Sequence, residues 1–186
     1  MPRAGLDSAG VIERAARLLD EHGSDGLNLA DLAESLGVRA PSLYKHVEGM
    51  PGLRRGILLR AKADLAQALG QAAIGRSRED AIVSVSHAYR DWARAHPGQY
   101  PMTVRAPADG DAEDASVSSR LASVVFEILS GYRLQDDDAV DATRFLRSAL
   151  HGFIALETSD AFALPVDLDR SFDRVVASVV TALTNW

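Results

Sequence analysis

Residues 27–47 read Leu27-Asn28-Leu29-Ala30-Asp31-Leu32-Ala33-Glu34-Ser35-Leu36-Gly37-Val38-Arg39-Ala40-Pro41-Ser42-Leu43-Tyr44-Lys45-His46-Val47. Asn28 is a good N-cap, and Asp31 stands three places on, close to a capping box. Leu29, Leu32, Ala33 and Leu36 then recur on one helical face until Gly37 stops the run. Pro41 sits where a proline opens a helix, since its missing N–H would be unpaired there anyway; this helix is read over 41–47. Together with an amphipathic helix over 8–22, ended by Gly23, the two short helices make a helix-turn-helix. Its expected core is Leu29, Leu32, Ala33, Leu36, Val38, Leu43 and Val47. Arg39, Ala40, Ser42, Tyr44, Lys45 and His46 are left facing outward.

Outward from this unit the chain keeps a helical rhythm. Pro51 opens a long helix toward Ala73 through Leu53, Ile57, Leu58, Ala61, Leu65 and Leu69, a connector in character. A fifth helix runs over 79–96 to Pro97-Gly98, followed by a short turn or helix over 99–104. Residues 105–116 hold turn formers and acids without apolar periodicity and are read as an exposed, mobile loop. Three more helices follow, over about 117–131, 136–160 and 168–184. Valine favours strands, but Phe172, Val175, Val176, Val179, Val180 and Leu183 repeat at helical spacing, so periodicity outweighs propensity. The triple acid Asp136-Asp137-Asp138 points three ways on a helix and reads as a helix start rather than a metal motif. The expected fold is therefore all-α, with about nine helices: a helix-turn-helix domain over 1–50 and a helical bundle over 51–186.

Composition narrows the function. The 186 residues are 47% hydrophobic, enough to bury a real core. With no cysteine, disulfides, thiol catalysis and the usual zinc sites are excluded, and the five histidines show no ligand-like pairing, so neither metal nor cofactor is expected. Neither a membrane span nor an export signal is read, which points to the cytoplasm. The net charge of −6 argues against nucleic acid only if it is spread evenly. It is not. Over 39–62 there are six basic residues, Arg39, Lys45, Arg54, Arg55, Arg60 and Lys62, against Glu48 alone, whereas 63–186 carry 11 basic and 18 acidic residues. One end suits DNA while the rest repels it.

The stretch 27–47, with its Leu43-Tyr44-Lys45-His46 run, resembles the signature of the TetR family. The later segment Ser148–Glu157 is similar to the C-terminal region of the family's WHG subgroup, with Arg147 in place of the subgroup's tryptophan. The resemblance implies a dimeric regulator that binds palindromic double-stranded operator DNA and is released by a small molecule, without catalysis. It implies that Arg39, Ala40, Pro41 and Ser42 face base edges, Tyr44 and His46 touch phosphates or brace the helix, and Lys45 meets the backbone, with Asn28 counted among the DNA-binding residues. Arg39 alone among these reaches guanine O6 and N7 in bidentate fashion. Many relatives carry a lysine where this chain has Met50, so one phosphate anchor is replaced.

In the bundle, Tyr89, Trp92, Tyr100, Phe126 and His151 are the expected lining of a cavity for a mostly hydrophobic effector. No paired charges for a strongly charged ligand are visible. Phe145, Ala149, Leu150, Phe153 and Leu156, with Phe172, Val176, Val179, Val180 and Leu183, are the expected face of a homodimeric four-helix interface. Two other classes compete. A helical hydrolase lacks any nucleophile elbow, and a sequestering dimer that has lost DNA binding rests on Met50 alone.

Overall fold

The computed structural model describes residues 6–186, and the described residues fold into nine helices without a strand. The reading of the N-terminus as free of an export signal extends to residues 1–5, which lie outside the described residues. Asp7 caps α1 (Ser8–Gly26) through a 2.7 Å bond from the Gly10 N–H, and the helix is broken at Gly23. Asn28 caps α2 (Leu29–Ser35): its Oδ1 accepts from the amides of Ala30 and Asp31, and its Nδ2 donates to Asp31. Gly37 turns the chain at φ +66°, a conformation costly for any residue with a Cβ. Regular helix α3 spans only Ala40–Leu43, with Tyr44–His46 continuing as turns held by 2.8 and 3.0 Å bonds from the His46 and Val47 amides to Leu43 O.

The body comprises α4 (Gly49–Ala73), α5 (Arg78–Ala95), α6 (Tyr100–Thr103), α7 (Ala112–Ser130), α8 (Asp136–Thr158) and α9 (Leu168–Thr184). Two apolar cores result. The first joins Val11, Ala15, Leu19, Leu32, Leu43 and Val47 with Leu53 and Ile57 from the start of α4. The second gathers Ala61, Leu65 and Leu69, from the rest of α4, with residues of α5 to α9. Thus α4 is built into both.

The loop expected over 105–116 needs correction, because α7 already starts at Ala112 with Asp111 as its cap. Its first turn lacks apolar periodicity because it is seated by charge. Asp114 is 4% exposed and takes a 2.6 Å bond from the Lys62 Nζ, while Lys62, 1% exposed, also reaches the Ser118 Oγ at 2.9 Å. Asp111 and Glu113 bind Arg55. Asp136–Asp138 occupy the first turn of α8, as expected of a helix start.

The valine stripe of α9 also turns inward. Phe172, Val176, Val179, Val180 and Leu183 are all 8% exposed or less, packed against α5 and α8 in the chain's own core, and Leu150 joins them. These six residues are therefore not a free face, as the expected interface required. The stripe records which side of α9 is buried; it does not say against what. Among the expected interface residues, Phe145 and Leu156 are exposed and Ala149 and Phe153 are half-buried.

Candidate nucleic-acid interface and ligand cavity

On the head, Arg39, Pro41, Tyr44 and Lys45 are exposed, and Ala40, Ser42 and His46 are half-buried. Tyr44 is 63% exposed, so its ring is not packed against α1. No hydrogen bond or ion pair ties the side chains of Arg39, Tyr44, Lys45 or His46 to the described residues. The carboxamide of Asn28, by contrast, is spent on the α2 cap. Met50, in the position of the expected lysine, packs half-buried against the head core.

The local basic surplus has a different destination from the one its sequence position suggests. Arg55 clamps Asp111 with two 2.7 Å bonds and Glu113 with one of 2.9 Å, and this clamp holds the Asp111 carboxyl well below the usual carboxylate range. Lys62 is buried on Asp114, and Arg60 bridges Asp64 and Glu13. Three of the six basic residues over 39–62 thus hold helices together, while Arg39 and Lys45 stand on the outward face.

Inside the body lies a cavity of about 320 Å³, at the lower end of the range for small-molecule sites. Its wall is mainly apolar, with Leu65 and Leu69 from α4, Leu121 and Val125 from α7, and Leu146 and Leu150 from α8. Of the five residues expected to line it, only Tyr89 does so. Trp92 sits off the cavity, its ring centroid 4.7 Å from that of His96 with the two planes tilted by 43°. Phe126 is 39% exposed: the helix turns about 100° per residue, so the inward position of Val125 sends its neighbour to solvent.

Tyr100 and His151 stand behind the wall in a relay. The Tyr89 and Tyr100 hydroxyls are 3.2 Å apart, and the Tyr100 hydroxyl lies 2.6 Å from His151 Nδ1. Burial holds both phenols protonated by pushing them up, and it pushes the imidazole down, helped by Arg147. The His151 tautomer sets the direction of the relay: with the ring proton on Nε2, Tyr100 donates to Nδ1 and Tyr89 to Tyr100, and with it on Nδ1 both bonds run the other way. Sequence reasoning missed two lining residues with the strongest chemistry, Arg105 and Arg147. The signal was present in Arg147, a charge within an apolar run where the subgroup has tryptophan.

A clasp joins body to head. The Asp20 carboxylate, on α1, accepts from the Gly98 and Gln99 amides at 3.0 Å each and from the Gln99 Nε2 at 2.6 Å, and lies 3.1 Å from His96 Nδ1. Gly98 is packed so closely that a Cβ there would come within 2.1 Å of Leu19 O. Residues 96–99 lead directly into α6, whose Thr103 lines the cavity, and Met102 of α6 packs on the head core. The cavity therefore touches the head by two routes, α4 and α6.

Comparison with known proteins agrees with this two-part design. The family model for bacterial regulatory proteins of the tetR family matches residues 11–53, and a tetracyclin repressor-like C-terminal domain matches 82–179. The chain is 35% identical over 181 residues to the uncharacterized HTH-type transcriptional regulator Rv0681 of Mycobacterium tuberculosis, covering 97% of this chain and 83% of that one. It is 32% identical to the HTH-type regulator YobS of Bacillus subtilis, over 98% and 95% of the two chains. Among solved structures, a Rhodococcus protein of unknown function superposes with a TM-score of 0.84 at 18% identity over 99% of each chain. A TetR variant of Acinetobacter baumannii, solved with minocycline, gives 0.72 at 22% identity over 97% of this chain and 98% of that one. With an N-terminal helix-turn-helix, a helical body around a cavity and relatives matching nearly end to end, the chain belongs to the TetR family of transcriptional regulators.

Proposed function

We propose that this regulator is a cytoplasmic homodimeric repressor that grips a palindromic operator with its heads, over 1–50, and lets go when a small, mostly apolar molecule fills the cavity of its body, over 51–186. The observation that carries the reading is the contrast within one basic segment. Arg55, Arg60 and Lys62 are tied into the body, yet Arg39, Tyr44 and Lys45 stand exposed on the helix that a helix-turn-helix lays in the major groove. Those three residues have no structural task that would explain them. A mobility-shift assay against DNA flanking the chain's own gene tests this, and retention of the shift under excess unrelated DNA is the expected result. Absence of any specific shift would favour the sequestering dimer.

Roles within the head follow from reach. Arg39→Ala is expected to weaken operator binding by about 1–3 kcal/mol and relax preference at one base pair per half-site. Lys45→Ala is expected to weaken all sequences alike and flatten the salt dependence. Anisotropy titrations on operator and scrambled DNA at several salt concentrations separate the two, and equal losses on both DNAs for both variants would refute this division. Ala40, Pro41 and Ser42 complete the base-facing edge, and Tyr44 and His46 touch phosphates or brace the helix.

For assembly, α8 exposes Phe145, Gly152 and Leu156, and α9 exposes Ala177, Ser178 and Thr181. The hydroxyls of Ser178 and Thr181 bond back to their own helix at Arg174 O and Ala177 O, so α9 presents carbon rather than donors there. A Cβ added at Gly152 meets nothing within 4 Å in the single chain. Gly152→Glu should therefore leave the protomer folded while splitting the dimer. Sedimentation is expected to give twice 19.9 kDa for the native chain and the single mass for the variant; a native monomer at micromolar concentration would overturn the assembly. No helix among the described residues is long and apolar enough to cross a membrane.

Release needs a path from cavity to head. Leu65 and Leu69 carry cavity contacts on the helix whose Leu53 and Ile57 enter the head core, and Thr103 carries them to the Asp20 clasp. A ligand that shifts either element tilts the head, and in a dimer both half-site contacts are lost together.

A further inference from the structure

Five of the cavity's polar side chains already have partners within the chain. The Thr103 Oγ1 donates to Tyr100 O at 2.8 Å and the Thr143 Oγ1 to Ala139 O at 2.8 Å. Ser118 gives its hydroxyl to Asp114 at 3.1 Å and accepts from Lys62. Tyr89 is taken by Tyr100. Arg147 uses one Nη2 bond, 2.7 Å to Val104 O, which leaves the other donors of its guanidinium open. The lining also includes Arg105, and it contains no aspartate or glutamate. Neither arginine forms an ion pair with the described residues.

The cavity's spare donors are the guanidiniums of two arginines that are themselves exposed to solvent, over a mainly apolar wall, so the site selects by charge where they stand and by shape along the rest. We infer that the effector is an amphipathic anion, an organic molecule with an apolar body and one carboxylate, the carboxylate held by Arg147 and Arg105 and the body lying against Leu65, Leu121, Val125 and Leu146. A neutral alcohol finds the hydroxyls of the wall engaged, and an ammonium meets two like charges. The planar fork of each guanidinium matches a carboxylate. The volume equals about ten molecules of liquid water, enough for a short chain or a small ring system. The sequence reading located no paired charges for a strongly charged ligand; these two residues lie far apart in the chain, and both line the cavity. The identity of the polar end rests on the cavity being the effector site proposed above, and the test keeps the two apart.

Decanoate, decanol and decylammonium share one body and differ in the head. Calorimetric titration of the whole protein, without DNA, is expected to give binding in the order decanoate, decanol, decylammonium, with decanoate weakened by salt. Arg147→Gln is expected to weaken decanoate about ten- to a hundredfold and leave decanol nearly unchanged, with Arg147→Lys restoring part of the loss. Ala122→Leu, which narrows the cavity, is expected to weaken decanoate and decanol alike. Decanoate that fails to bind, binds no better than decanol, or ignores both Arg147→Gln and Ala122→Leu overturns the inference. Operator anisotropy is measured separately: Arg147-dependent binding without release upholds the anion site and refutes release, whereas release by decanol equal to that by decanoate upholds the effector cavity and refutes the anion site.

Discussion

Asp114→Ala is expected to destabilise the protein by about 3–5 kcal/mol, the cost of leaving a buried charge without its partner. The ammonium of Lys62 is 1% exposed, and its remaining contact, the Ser118 hydroxyl, is neutral. Nothing nearby replaces the carboxylate, and α7 loses the contact that seats its first turn on α4. The paired replacement Lys62→Met with Asp114→Leu removes both charges and fills the space with carbon, and is expected to recover most of the loss. Urea unfolding of the two variants and the parent measures this. A cost under about 1 kcal/mol for Asp114→Ala, the scale of an exposed pair, would mean that water reaches the site and the burial is not real.

Gly98→Ala is expected to lie at or above the upper end of the about 1–3 kcal/mol typical of overpacking, because the atom that the new Cβ meets is a backbone carbonyl of α1 rather than a yielding side chain. Head and body must part there, and the bonds from Gly98 and Gln99 to Asp20 stretch with them. The variant is expected to melt earlier and to lose operator affinity while its recognition residues are untouched. Trp92 offers a reporter, since its ring lies against His96 of the clasp. Trp186, which is 47% exposed and lies 5.8 Å from Phe145, is removed by Trp186→Phe. In that background Gly98→Ala is expected to shift the emission, and unchanged emission together with unchanged affinity would show that the clasp does not set the angle of the head.

The head was the legible part of the sequence because its information is local. Asn28 caps, Gly37 turns and Pro41 starts, each through its own backbone, and the helices appear where those residues place them. Hydrophobic period located the helices of the body but not the partners of their faces. The stripe from Phe172 to Leu183 looked the same whether it was to be covered by a second chain or by α5 and α8. Aromatic size misdirected the search for the cavity: Phe126 and Trp92 are conspicuous in sequence, whereas the wall is built from Leu121, Val125 and Leu146. The acid-rich turn at 111–114 looked structureless because its partners, Arg55 and Lys62, lie more than fifty residues away. Charge counted along the chain located a basic segment correctly and its use only in part.

Because α4 supplies Leu53 and Ile57 to one core and Ala61, Leu65 and Leu69 to the other, the two halves share a spine rather than a hinge. A fragment ending at residue 50 would carry the whole proposed recognition surface yet lack Leu53 and Ile57, two of the fully buried side chains that close its core. Melting is accordingly expected to be a single cooperative event rather than two. Evolution of this chain works under the same tie. If the proposed coupling of cavity to head holds, a substitution at Ile57 that improves the grip on DNA is felt by the wall that Leu65 gives to the cavity, and operator preference and effector response are expected to drift together.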